Sequence, residues 1–143
     1  MIAVDANILV YAHRPDSPFH GLADRAVRDL AQGADSWALP WPCLHEFFSV
    51  VTNRRLFQAP TPPGAALNQI GYWLESPTVR VLSEAPSHLA VLTNLVSSAD
   101  VAGLQIHDAK IAAICLSHGV RELLTMDRDF SRYPSLNTRS LIA

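Results

Sequence analysis

Acidic residues in this sequence stand beside apolar runs, where carboxylates are more typical of a metal or acid–base site than of a solvated surface. Asp5 comes directly after three apolar residues at positions 2–4. Asp108 opens a helical pattern in which the residues three, four and seven positions later are all apolar. Either residue could instead be a helix cap or a first-turn acid stabilised by the helix dipole, so neither is decisive alone.

Three more acids have similar surroundings. Glu46 falls inside a helical pattern whose neighbouring positions are mostly apolar, and an ionised Glu is almost never buried without a partner. It could also lie at the helix margin and reach solvent. Asp127 and Asp129 follow the apolar pair 123–124 and the hydroxyl of Thr125, although a polar turn after a strand would look similar.

Carboxylates that converge without neighbouring lysines repel one another, and Lys110 is the single lysine of this sequence. Such a cluster is physically reasonable around a hard divalent cation, because Mg²⁺ takes oxygen ligands in octahedral geometry and keeps several waters. The oxygen donors available for a site of this kind are Asp5, Asn7, Glu46, Asp108, Thr125 and Asp127.

The elements that would position these donors alternate between strands and helices along the chain. Short apolar runs predict strands at residues 2–4, 37–39, 79–82, 123–124 and 140–142. Helical spacing and end signals predict helices at residues 7–13, 18–32, 42–51, 63–74, 87–97 and 106–118. This alternation favours a parallel sheet covered on both faces, in which ligands bind at the carboxyl ends of the strands.

Composition excludes several classes of protein. No apolar run approaches the roughly 20 residues of a membrane helix, and the first residues lack the basic segment of a secretory signal. Cys43 and Cys115 are interpreted as buried reduced thiols, since disulfide scaffolds and zinc sites need more cysteines or closer ones. These features favour a cytoplasmic protein.

The charge balance argues against a simple electrostatic binder of nucleic acid, because the formal net charge is −2. It argues less against a metal-dependent nuclease, since bound cations would cancel the charge of an acidic cluster. All basic residues except Lys110 are arginines, which suit bidentate contact with phosphate.

The sequence resembles the PIN-domain nucleases and, among them, the VapC toxins of bacterial toxin–antitoxin pairs. The resemblance spans nearly the whole chain in the right order, and its opening and closing motifs are fairly specific together. It is carried by residues 4–11 (VDANILVY), by Glu46, by residues 107–109 (HDA) and by residues 124–130 (LTMDRDF).

This resemblance implies a single domain over residues 1–143, a three-layer α/β/α sandwich around a parallel sheet of about five strands. It also implies cleavage of RNA that depends on Mg²⁺ or Mn²⁺, with Asp5 and Asp108 as the firmest metal ligands. The implied acidic quartet is Asp5, Glu46, Asp108 and Asp127, supported through hydrogen bonds by Asn7, Thr125 and Asp129. Either acid of the last motif could face the metal, and Asp127 is preferred.

The resemblance further implies a cognate VapB-type antitoxin and a homodimer. Aromatic residues are candidate interface anchors, although filling the core is as good an explanation for them. They are Trp41, Phe48, Phe57, Tyr72 and Trp73. Arginines that could contact RNA phosphates, or be solvated surface residues, are Arg14, Arg54, Arg55, Arg128 and Arg132.

Two other functions compete with this reading. A haloacid-dehalogenase-like phosphatase also begins with an acid after its first strand, but it needs a second acid where this chain has Asn7, and a suitably placed lysine. A catalytically degenerate PIN domain would only bind an antitoxin or RNA, although here all the expected acids are present.

Overall fold

Five short parallel strands form the centre of the structure, a computed structural model that describes residues 1–142. They lie in the order β3-β2-β1-β4-β5 within one sheet. Their bounds are Ile2–Val4 (β1), Trp37–Pro40 (β2), Val79–Leu82 (β3), Glu122–Leu124 (β4) and Asn137–Arg139 (β5). All four strand pairings are parallel, which confirms the predicted sheet.

Helices cover both faces of this sheet. Their bounds are Ala6–His13 (α1), His20–Gln32 (α2), Trp41–Val51 (α3), Pro63–Leu74 (α4), His88–Ala99 (α5) and Ile106–Ser117 (α6). Short 3₁₀ helices span Gly103–Gln105 and Arg128–Arg132. The result is the α/β/α sandwich that the sequence predicts.

Alternation of side chains along the strands creates two cores. Ala3 and Leu123 face one core, which they share with the buried face of α6. Val4, Leu39 and Leu124 face the other core, which is built largely from α1 to α4. Because both faces are buried, β1 and β2 are apolar throughout rather than alternating with polar residues.

The strand order creates a topological switch point beside β1. From β1 the chain builds outward through β2 and β3 on one side, and then returns to place β4 and β5 on the other. Ligands of open α/β sheets bind at such a point, beyond the carboxyl ends of the strands. Val4 pairs in register with Leu124, so Asp5 and Thr125 emerge side by side at this edge.

The last strand was predicted in the wrong place. The apolar pair in residues 140–142 suggested a strand there, whereas β5 is Asn137–Arg139 and is exposed along its length. Its pairing comes from backbone hydrogen bonds to β4 and from an ion pair between Arg139 and Glu122 at 2.7 Å. An edge strand without a buried face needs no apolar residues, so hydrophobic patterning does not detect it.

The start of α2 also differs from the prediction. Ser17, which directly precedes the predicted start at residue 18, donates its hydroxyl to the carbonyl oxygens of Tyr11 and Arg14, at 3.1 and 2.7 Å. The helix therefore begins at His20, after Phe19. Ser17 closes the turn after α1 instead of capping α2.

Remaining predictions concern burial. Both cysteines are free and buried, as predicted. Trp73 belongs to the core and meets Phe47 edge-on at 4.9 Å, whereas Trp41 and Tyr72 are exposed. Within residues 1–142 no helix has both the length and the apolar character needed to cross a membrane.

Candidate metal centre

Asp5 is held at the end of β1 by donors from three parts of the chain. The amide of Ala6 donates to its Oδ1 at 2.7 Å and the Thr125 hydroxyl to its Oδ2 at 2.7 Å. Asn7 Nδ2 and Cys43 Sγ are weaker donors, at 3.3 and 3.7 Å. A carboxylate has about four lone-pair sites, so a cation would compete only with the two weak contacts.

Thr125 connects Asp5 to the last acidic motif. Its hydroxyl donates to Asp5 and accepts from the amide of Asp127 at 3.0 Å and from Asn7 Nδ2 at 3.2 Å. The Asn7 amide oxygen accepts in turn from the amide of Met126 at 3.2 Å. Thr125 is 3% exposed, so these bonds lie in a desolvated environment where each contributes more than at the surface.

Replacing Thr125 by Val should therefore destabilise the protein by about 1–3 kcal/mol. The backbone amide of Asp127 and the side-chain amide of Asn7 would both lose the hydroxyl that accepts their hydrogen bonds. Thr125→Ser keeps the hydroxyl and should retain most of the stability. Urea unfolding of the two variants compares them directly. Equal stability of the Val and Ser variants would contradict the role assigned to this hydroxyl.

Three further carboxylates converge in front of Asp5. Asp108, in the first turn of α6, and Asp127 and Asp129, in the last motif, each present an oxygen within 4.8 Å of the others. The amide of Asp129 donates to Asp127 Oδ1 at 2.9 Å, which fixes the turn that carries both acids. Asp127 is partly buried and Asp129 is exposed.

A pocket of about 180 Å³ joins these acids to the rest of the proposed quartet. Asp5, Glu46, Asp108 and Asp127 all line it, although Glu46 is exposed as a whole residue. The remaining lining residues are Ala6, Asn7, Val10, Tyr11 and Val50. Strand order and helix packing thus bring together acids that are separated by more than 100 residues in the chain.

Burial and mutual repulsion raise the pKa values of Asp5, Glu46 and Asp108. The pKa of Asp108 is raised to about 6, mainly by desolvation and then by the charges of Asp127 and Asp5. Desolvation is also the main cause of the raised pKa values of Asp5 and Glu46. The metal-free site therefore holds negative charge at an electrostatic cost.

A divalent cation fits this donor set. The three ion pairs found within residues 1–142 involve other acids. Lys110 and His107 lower the pKa values of Glu46 and Asp108, but each is the smallest of the causes that act there. Carboxylate oxygens within a few ångströms of one another are the ligands that Mg²⁺ and Mn²⁺ prefer. Asp108 and Asp127 lie close enough together to share a cation, and Asp5 and Glu46 line the same pocket. That Asp5 and Asp108 are the firmest of the four ligands stays a prediction.

The arginines proposed for phosphate contact lie in two kinds of environment. Arg14 is fixed: it pairs with Asp16 at 2.6 Å, donates to the Ala59 carbonyl at 2.8 Å and packs on the Phe57 ring. The exposed ones are Arg54, Arg55, Arg128 and Arg132. Arg14 therefore anchors the loop between α3 and α4, and the exposed arginines are the better candidates for an RNA contact.

Sequence reasoning missed a thiol that contacts Asp5 and three apolar residues that line the pocket. Cys43 was interpreted only as core, yet its thiol contacts Asp5, and its position one turn before Glu46 was a usable signal. Val10, Tyr11 and Val50 carried no such signal, because apolar residues at helical spacing look like ordinary core.

Comparison with known proteins agrees with this geometry. The model of the family described as "PIN domain" matches residues 2–136. The chain belongs to the PIN-domain family. This confirms the resemblance inferred from the motifs and removes the phosphatase alternative.

Within that family the chain is similar to VapC proteins. It is 36% identical to the VapC ribonuclease Mb2897 of Mycobacterium bovis, over 97% of this chain and 94% of that protein. VapBC-1 from nontypeable Haemophilus influenzae has the same fold, with a TM-score of 0.69, 19% identity and full coverage of both chains. A toxin–antitoxin complex from Klebsiella pneumoniae matches with a TM-score of 0.59 and 16% identity, over 95% of each chain.

Proposed function

We propose that this PIN-domain protein is a metal-dependent endoribonuclease and the toxin of a bacterial toxin–antitoxin pair. The observation that carries the proposal is the pocket at the switch point, lined by Asp5, Glu46, Asp108 and Asp127. A ribonuclease that is 36% identical over almost the whole chain supports the reaction. The proposed cofactor is Mg²⁺ or Mn²⁺.

In this proposal the chain's own residues position the reaction. Asp5, Glu46, Asp108 and Asp127 would hold the cation, while Thr125 and Asn7 keep Asp5 and the last motif in fixed orientation. When bound there, the cation would lower the pKa of an attacking water and stabilise the charge that develops on the phosphate. No histidine general base is required. Asp129 supports Asp127 through its backbone amide.

The comparisons support an antitoxin as the proposed partner. A VapB-type antitoxin would bind this chain, as the solved VapBC-1 structure and the Klebsiella toxin–antitoxin complex suggest for proteins of this fold. A homodimer and a cytoplasmic location complete the proposal. The exposed aromatic rings of Trp41 and Tyr72 are available as interface anchors.

The proposal is tested by incubating the purified chain, free of any antitoxin, with structured cellular RNA. We expect cleavage in millimolar Mg²⁺ or Mn²⁺, complete loss of cleavage in EDTA, and recovery when metal is restored. Full activity in EDTA would exclude the metal mechanism. Metal binding without cleavage of any RNA would favour the degenerate domain that only binds a partner.

A further inference from the structure

The pocket that holds the acids has a second, apolar half. One part of its lining consists of carboxylates, and another consists of Val10, Tyr11 and Val50. Metal binding and phosphate contact use only the acidic part. An apolar wall open to the same pocket therefore needs a different portion of the substrate to cover it.

Helical spacing places the apolar part beside the acids. On α1, Val10 and Tyr11 lie three and four residues after Asn7, and on α3, Val50 lies four residues after Glu46. Residues at this spacing share a helix face, about one turn or 5–6 Å apart. The apolar part is thus separated from the acids by roughly the span of one sugar residue.

Tyr11 is held through both its ring and its backbone. The ring meets the Phe19 ring edge-on, with centroids 5.5 Å apart. The backbone carbonyl oxygen of Tyr11 accepts from Ser17 Oγ and from His20 Nδ1, at 3.1 and 2.8 Å, which fixes the main chain there. A partly exposed aromatic ring that is held by its neighbours loses little entropy when a planar ligand stacks on it.

We propose that this apolar half binds one nucleobase of single-stranded RNA, the base attached next to the scissile phosphate, by stacking on Tyr11 between Val10 and Val50. This inference rests on the proposed function, since it assigns the substrate's base to the same pocket. The phosphate remains with the cation and the acids. The neutral, planar base is the part of a nucleotide that can stack on an uncharged aromatic side chain.

The proposed subsite requires an unpaired base. Bases in a helical duplex are stacked on one another, whereas an unpaired base can be turned out onto an aromatic side chain. The side-chain amide of Asn7, next to the apolar part, already forms hydrogen bonds with Asp5, Thr125 and the backbone amide of Met126. Recognition at this position therefore comes from stacking and tolerates different bases.

Binding of two labelled oligonucleotides tests the subsite. One is a single-stranded oligouridylate, and the other is a ribose–phosphate chain of equal length without bases. Measurements use the Asp108→Asn background, so that nothing is cleaved. We expect the uridylate to bind about 5- to 150-fold more tightly, the range for stacking of one base on an aromatic side chain.

Adding Tyr11→Leu should remove most of this preference and leave binding of the base-free chain unchanged. Leu89→Ala is the control, since Leu89 is a largely exposed apolar residue on α5 outside this pocket, and it should change neither affinity. If Tyr11→Leu lowers the melting temperature strongly, Val50→Phe fills the pocket from α3 and should give the same loss.

Two results would overturn the base subsite: equal binding of the two oligonucleotides, or equal weakening of both by Tyr11→Leu and Val50→Phe. Because these measurements involve no turnover, they are independent of the cleavage assay. Metal-dependent cleavage combined with no base preference would reject the subsite alone. A base preference without any cleavage would retain the subsite and reject the proposed nuclease.

Discussion

Replacing Asp108 by Asn should abolish RNA cleavage and make the metal-free protein more stable. Loss of one charged metal ligand removes several kcal/mol of transition-state stabilisation, so the rate should fall by about 1000-fold or more. The gain in stability arises because burial and the charges of Asp127, Asp5 and Asp129 disfavour the Asp108 carboxylate, whose pKa is raised to about 6. Asparagine has the same shape without that charge.

The size of the stability gain is limited by solvent. Asp108 is only half-buried, so screening reduces the repulsion that its neutral replacement relieves. We expect a gain of about 1 kcal/mol at pH 7.5 in EDTA, which corresponds to a rise of about 3 °C in the melting temperature. Such an exchange of stability for function is typical of active sites.

Activity assays and thermal melts in EDTA measure the two effects. Asp35→Asn, at an exposed position between α2 and β2, is the matched control and should change neither quantity. A stable Asp108→Asn protein with normal cleavage would remove Asp108 from the proposed metal centre. A lower melting temperature than wild type would mean that the carboxylate makes a favourable contact in the metal-free fold.

The second prediction concerns pH and metal together. The folded-state pKa of Asp108, about 6, lies above its ordinary value of 3.8, and those of Asp5 and Glu46 are raised as well. The folded protein therefore holds protons that the unfolded chain releases. Binding of these protons stabilises the folded state. The stabilisation is complete below the unfolded pKa values, near 4, and is lost as pH rises through about 6.

Metal should reverse this loss. A cation binds the ionised carboxylates of the folded protein, so added Mn²⁺ should raise the melting temperature by roughly 10 °C at pH 7.5, at about 100 times its dissociation constant. At pH 5 the increase should be smaller, because protons compete with the metal for the same oxygens. Thermal melts between pH 4.5 and 7.5, with EDTA or with Mn²⁺, measure both trends.

Asp108→Asn serves as the control for this experiment as well, since it should lose most of the metal-induced stabilisation. An equal increase in melting temperature at pH 5 and pH 7.5 would show that the metal binds somewhere other than these carboxylates. Melts in matched NaCl exclude a general effect of ionic strength.

Most elements of this fold follow from the sequence because their signals are local. The strand ending at Val4 and the helix starting at Ile106 are set by apolar runs, helical spacing and end signals within a few residues. The structure agrees with those predictions to within about two residues, and the family motifs predicted the sandwich itself. The exposed strand Asn137–Arg139 was missed because it is held by pairing with β4, and its own residues carry no apolar pattern.

The arrangement of the site required the tertiary structure. The sequence by itself determined that Asp5 and Asp108 are acids in apolar surroundings, since each position is read from its neighbours in the chain. Their meeting with Asp127 depends on β1 pairing with β4, and the contact of Cys43 with Asp5 depends on α3 lying over the switch point. Likewise, the opening of Tyr11 onto the acids is decided by how α1 packs against α3. These are contacts between residues distant in sequence, which no local periodicity encodes.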